Sequence, residues 1–151
     1  MTRGALLVCS AGGHLLQMLA LEASWSDLST TWVTLPGSDV EHLLEGRDVI
    51  LGHGPTNRSV GKLLRNIAMA WRVVRHRRPD VILSTGAGLA LPYFLIGRLH
   101  GCRLVYVESL TRTRGLSLTG QLVYPLADAF FVQWPQTAPR RKRAVYAGSL
   151  L

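Results

Sequence analysis

An apolar run, Ala5-Leu6-Leu7-Val8-Cys9, breaks at Ser10-Ala11-Gly12-Gly13-His14 and passes at once into a helical pattern over residues 15–22. Strand, glycine turn and helix in immediate succession form the unit with which nucleotide folds aim backbone N–H groups at a phosphate. Gly12 and Gly13 carry no Cβ, so a ligand can come close to the backbone there. His14 adds a side chain that donates, accepts or takes up a proton near neutral pH. No Gly-Lys-Ser/Thr follows, which excludes a Walker A loop, and the G-x-G-x-x-G spacing of dinucleotide folds is absent.

The same alternation runs through the rest of the chain. Short apolar runs at 5–9, 31–35, 48–51, 81–84, 103–107, 129–132 and 144–146 read as strands, and patterns at 15–22, 39–44, 60–77, 89–100 and 116–126 read as helices. Strands and helices in alternation predict an α/β fold, a Rossmann-like, doubly wound and mostly parallel sheet, with residues 1–151 as a single domain. Arg78-Pro79-Asp80 stops the long helix, because proline cannot continue it. Ligands of such sheets bind beyond the carboxyl ends of the strands. Three loops there carry chemistry: Ser10 to His14, Ser84-Thr85-Gly86-Ala87-Gly88, and Glu108-Ser109. Each alone reads equally as a tight turn. Three on one edge point to a site.

Composition narrows the partners. A hydrophobic fraction of 48% excludes a disordered chain. No apolar run reaches the roughly 18 residues of a membrane span. Met1-Thr2-Arg3-Gly4 leads directly into the first strand, so no secretory signal is expected. Cys9 and Cys102 lack metal-ligand spacing and read as reduced core thiols of a cytoplasmic protein. The net charge of +8 favours an anionic partner, and the cations concentrate in Lys62 to Arg78, Arg98 to Arg114 and Arg140 to Arg143. No nucleic-acid motif accompanies them, so nucleic acid is not the expected partner.

The motifs taken in order, from Ser10-Ala11-Gly12-Gly13-His14 through Glu108-Ser109 and Leu116-Ser117-Leu118-Thr119-Gly120 to Gln133-Trp134-Pro135, resemble one family across nearly the whole chain. It is the PssD/EpsE type of polysaccharide-biosynthesis glycosyltransferase subunit, the bacterial relatives of asparagine-linked glycosylation protein 14. Both resemble the N-terminal half of MurG. The resemblance implies the N-terminal, acceptor-binding half of a split GT-B glycosyltransferase, whose donor-binding half is a separate partner chain. It implies transfer from a UDP-sugar to an undecaprenyl-diphosphate-linked sugar in exopolysaccharide or capsule assembly, by a peripheral protein on the cytoplasmic face of the membrane. The eukaryotic relative has an N-terminal transmembrane helix, for which this sequence has no counterpart. A non-catalytic anchor that orients the partner is the alternative, and a standalone nucleotide-binding domain a third.

Sugar transfer needs a group that accepts the acceptor's hydroxyl proton, and donors that hold diphosphates. His14 and Glu108 are the candidate catalytic residues. His14 could instead be structural, and Glu108 could instead cap a helix or pair with Arg112 or Arg114. Gly12, Gly13, Gly86 and Gly88 would offer N–H groups to the acceptor diphosphate, and Ser10, Ser84 and Thr85 hydroxyls. Ser109, Arg112 and Arg114 lie on a segment that reads as an acceptor loop or a plain connection. No Asp-x-Asp motif is present and GT-B folds generally work without a metal, so neither metal nor cofactor is expected.

On the helix Val60–Arg77, the residues Val60, Leu63, Leu64, Ile67, Trp71 and Val74 recur at helical spacing as the expected core face. Lys62, Arg65, Met69, Arg72 and His76 fall on another face, expected to meet an anionic membrane surface unless the helix is simply solvated. The stretch 89–96 is apolar all round, as a buried helix is, with Tyr93 and Phe94 as alternative lipid contacts.

Overall fold

The computed structural model describes residues 3–56, 59–138 and 143–150; Met1-Thr2, the basic run Arg140-Arg141-Lys142 and Leu151 lie outside the described residues. Seven parallel strands form one sheet: β1 Gly4–Val8, β2 Ser29–Thr34, β3 Val49–Leu51, β4 Val81–Ser84, β5 Arg103–Val107, β6 Ala129–Val132 and β7 Ala144–Tyr146. Their spatial order is β3-β2-β1-β4-β5-β6-β7. The first three strands step outward on one side of β1, and the chain then crosses back to place β4 on the other. The loops after β1 and β4 therefore run in opposite directions and leave a crevice between them, the topological switch point at which such sheets bind ligands.

The strands are legible as continuous apolar runs because both faces of the sheet are covered. Leu6 and Val8 point into one core with Ile82, Leu104 and Phe130. Leu7 and Cys9 point into the other with Leu83 and Val107. The register agrees, since Leu6 stands beside Ile82 and Leu7 beside Leu83. Helices α4 Val60–Arg77, α5 Ala90–Leu99 and α6 Leu118–Val123 cover the first face. Helices α1 Gly13–Ala20, α2 Glu22–Trp25 and α3 Ser38–Leu43 cover the second.

The single helix expected over 15–22 is two. The chain leaves helical geometry at Leu21 and restarts as α2, which buries Trp25. The Trp25 indole Nε1–H donates to the Met18 carbonyl at 3.0 Å, and its ring meets Trp32 edge-on at 5.3 Å. The last helix is shorter than expected, because Ser117 caps it at its start by accepting the Gly120 N–H at 2.9 Å. Cys9 and Cys102 are free and buried. Burial pushes the Cys9 thiol up to about 12.

The orientation of α4 departs from expectation. Its buried residues are Asn66, Ala70, Val73 and Val74, about a quarter turn from the aliphatic stripe. Val60, Leu64 and Trp71, expected in the core, are 72%, 60% and 42% exposed. Met69, expected on the membrane face, packs against the core. The buried amide explains the rotation. Asn66 Nδ2 donates to the His53 carbonyl and its Oδ1 accepts the His53 N–H, both at 2.9 Å. The clasp ties α4 to the loop after β3 and fixes which face turns inward. Tyr93 and Phe94 are fully buried in α5, so they are not the lipid contacts their composition allowed.

Candidate functional site

A cavity of about 490 Å³ opens at the carboxyl ends of β1, β4 and β5. Ser10, His14, Gly88, Glu108, Ser109 and Arg112 all line it. The three loops read from the sequence thus converge on one space.

His14 is the first residue after the glycine pair, in the opening turn of α1. Its Nδ1 lies 2.8 Å from the Thr85 carbonyl, and the Thr85 hydroxyl donates back to the His14 carbonyl at 2.6 Å. A carbonyl only accepts, so Nδ1 carries the proton and Nε2 of the neutral ring keeps its lone pair. That is the tautomer a general base requires. The ring lies on Gly86, where φ is +117° and a Cβ would stand 2.8 Å from the imidazole Cε1. Glycine is needed at that position both for its backbone angle and for this approach.

Glu108 is 1% exposed, and its contacts are those of the capping alternative. Its carboxylate accepts the N–H groups of Ser109 and Ser117, both at 2.9 Å, and the Ser117 hydroxyl at 3.0 Å. A Cβ on Gly120 would collide with its Oε2. The carboxylate therefore braces the start of α6, where its charge also suits the helix dipole. No ion pair to Arg112 or Arg114 forms among the described residues. Beneath it Tyr106 is fully buried, its hydroxyl without a hydrogen-bond partner among the described residues. Burial, and after it the Glu108 charge, push this phenol up, so it stays neutral.

Several expected phosphate donors are already engaged. The Gly12 N–H donates to Asp39 Oδ2 at 2.6 Å, so the chain's own carboxylate occupies the position a phosphate oxygen would take. The Ser84 hydroxyl accepts the Gly86 N–H at 3.1 Å, and the Thr85 hydroxyl is spent on His14. Gly13 and Arg114 are exposed and stand outside the cavity lining. Arg72 and His76 are exposed on α4, whereas Lys62 and Arg65 line a second cavity beside the first. Among the described residues no group of three His, Cys, Asp or Glu side chains is placed to hold a metal ion.

Sequence reading missed the residues that hold the third loop. Gln17 Oε1 accepts the Leu110 N–H at 3.0 Å and the Gln133 amide at 2.6 Å, while Gln133 also donates to the Glu108 carbonyl at 3.0 Å. Trp134 Nε1–H donates to the Leu110 carbonyl at 2.7 Å, and the Thr137 hydroxyl to that of Arg112 at 2.8 Å. The Gln133-Trp134-Pro135 motif is thus the clamp on residues 108–112. The sequence signals are the Gln133-Trp134-Pro135 motif, whose structural part the sequence does not assign, and a polar Gln17 inside the apolar stripe of α1.

The fold and the sequence have known relatives. The structure superposes on MurG of Acinetobacter baumannii with a TM-score of 0.78 at 19% identity, covering 95% of this chain and 45% of that one. It superposes on a UDP-N-acetylglucosamine 2-epimerase with a TM-score of 0.75 at 13% identity, covering 99% of this chain and 49% of that one. These likenesses establish the Rossmann-like fold. In sequence the chain is 39% identical over 127 residues to the UDP-N-acetylglucosamine transferase subunit ALG14 of Eremothecium gossypii, spanning 76% of this chain and 55% of that protein. It is 32% identical over 174 residues to the same-named subunit of Yarrowia lipolytica, spanning 97% of this chain and 80% of that protein. Residues 38–150 match the model of the family described as oligosaccharide biosynthesis protein Alg14 like, and the chain belongs to that family.

Proposed function

We propose that this chain is the acceptor-binding subunit of a two-chain GT-B glycosyltransferase. The partner binds the UDP-sugar, which is UDP-N-acetylglucosamine if the names of its relatives carry over. The chain holds a lipid-diphosphate-linked saccharide, undecaprenyl-linked if the PssD/EpsE resemblance carries over to exopolysaccharide assembly. One observation carries the reading: His14 lines the cavity at the switch point with Nδ1 committed to the Thr85 carbonyl and Nε2 left as a base. In the reaction Nε2 takes the acceptor hydroxyl proton as that oxygen bonds the anomeric carbon, and the bond from that carbon to UDP breaks. That its relatives are named as subunits of a transferase supports a separate donor-binding chain.

The isolated chain is expected to show no transfer from radiolabelled UDP-sugar to a lipid-diphosphate acceptor, and to gain it when a donor-domain partner is added. Turnover by the chain alone at the rate of the mixture would overturn the two-chain reading.

We place the membrane contact on the face of the sheet covered by α4 and α5. Val60, Leu64 and Trp71 of α4 and Leu95 and Leu99 of α5 are exposed on two helices that pack side by side. Exposed apolar side chains beside Arg72 and Arg75 suit an anionic lipid surface. No helix among the described residues is long and apolar enough to cross a membrane. The contact we propose is peripheral and on the cytoplasmic face, as the PssD/EpsE resemblance implies. Replacing Leu64 and Trp71 together by Asp should remove most co-sedimentation with phosphatidylglycerol vesicles. Leu64 is mostly exposed, but Trp71 is more than half covered and meets His100 edge-on at 4.9 Å, so circular dichroism at the assay temperature should show the variant folded before the loss is read as lipid contact. Wild-type sedimentation by that variant would place the contact elsewhere.

A further inference from the structure

A second cavity, of about 620 Å³, lies beside the His14 cavity and shares Ser10, Leu35 and Pro55 with it. Its floor is the chain leaving β1, β2 and β3, and its rim is the first two turns of α4, which contribute Lys62 and Arg65. No carboxylate lines it, and neither cation is ion-paired among the described residues. Asp39, the acid on the neighbouring helix α3, is turned to the Gly12 N–H. The rim is also held in place. The two hydrogen bonds of the buried Asn66 lock the loop carrying His53 to α4 one residue beyond Arg65. Two unpaired cations of different geometry, on a braced wall with no acid in it, form a site for a multiply charged anion.

We propose that Lys62 and Arg65 bind the diphosphate that links the acceptor saccharide to its lipid. This rests on the function proposed above and reassigns two residues whose sequence suggested a membrane face. The geometry accounts for the closed glycine loop. The Gly12 N–H is closed by Asp39, so the diphosphate charge needs other donors; Arg112 offers one in the His14 cavity, and Lys62 and Arg65 offer a pair across the shared wall at Ser10. With the diphosphate on Lys62 and Arg65, the first sugar extends past Ser10 into the cavity that holds His14. Arg65 can fork two oxygens, and Lys62 supplies a point charge.

Titration of the chain with inorganic pyrophosphate, followed by calorimetry and by the NMR signal of the Asn66 side-chain amide, tests the site without any partner. Wild type should bind and shift that amide. Lys62→Ala and Arg65→Ala should each weaken binding roughly tenfold or more, the loss of one charge-assisted contact. Arg65→Lys should recover only part of the loss. Circular dichroism should be unchanged in all three, since neither side chain is in the core. Equal pyrophosphate binding by wild type and the double alanine variant, or none by wild type at millimolar concentration, overturns the proposal. A second set of arms identifies the source of the phosphate. A short polyprenyl diphosphate in neutral phosphatidylcholine vesicles should compete with pyrophosphate. If UDP or diphosphate-free phosphatidylglycerol vesicles compete equally well, the site is a donor or headgroup site and the assignment to the acceptor fails. In the partnered enzyme the double variant should raise the acceptor KM and leave the UDP-sugar KM in place. An inactive complex would count against the transferase reading alone, because pyrophosphate binding is read on the isolated chain.

Discussion

His14→Ala should lower turnover of the partnered enzyme about 10²- to 10⁴-fold, the usual cost of removing a general base. The fold should survive, because the ring is only half-buried and its one hydrogen bond is worth about 1 kcal/mol. Gly86→Ala gives an independent route to the same loss. It leaves the imidazole chemically intact but puts a Cβ 2.8 Å from its Cε1, at a backbone angle of φ +117° that alanine rarely adopts. A displaced His14 ring signal in the NMR spectrum, with a rate loss approaching that of His14→Ala, would tie catalysis to the position of the ring. Wild-type turnover by His14→Ala would remove this residue from the chemistry and leave the chain as an anchor that orients a fully catalytic partner.

Glu108→Ala should be the most destabilising of the site substitutions, by about 3 kcal/mol, because it strands buried N–H donors of Ser109 and Ser117 together with the Ser117 hydroxyl. For a domain of this size that is a fall in thermal midpoint of about 6 to 12 °C. Glu108→Gln keeps the volume but turns an amide NH₂ toward those same donors, so it too should lose stability, by less. Activity should fall in both as the cavity wall at residues 109–117 loosens, but the pH dependence of the remaining rate should keep its wild-type shape. Differential scanning calorimetry and a pH–rate profile separate this positioning role from proton transfer. A Glu108→Gln enzyme of unchanged midpoint, slowed a hundredfold with its profile altered, would return Glu108 to the role of base.

The contrast between these two residues reflects what a linear reading can reach. Both stand at the carboxyl end of a strand, and both are of the type that catalyses sugar transfer. His14 keeps that potential because its one partner, the Thr85 carbonyl, takes the nitrogen that must carry a proton anyway. Glu108 has its carboxylate taken up by donors that arrive nine residues later, where Ser117 opens α6. The Gly12 N–H is closed by Asp39, which lies 27 residues away in sequence. Local sequence contains the groups but not their partners.

The α/β alternation, the strand positions and the three converging loops could all be derived from the residues alone. Strands buried on both faces are short unbroken apolar runs, and glycine and proline punctuate them for steric reasons that act within a few residues. What needed the tertiary structure was every choice among faces and partners. Ala70 and Val73 extend the apolar surface of α4 to one side of its aliphatic stripe, so periodicity permits more than one inward face. The buried face is chosen by Asn66, whose amide must satisfy the His53 backbone, and this turns Val60, Leu64 and Trp71 outward and Met69 inward. The same rotation carries Lys62 and Arg65 to the rim of a cavity, because a helix is rigid and one buried polar contact orients all eighteen of its residues.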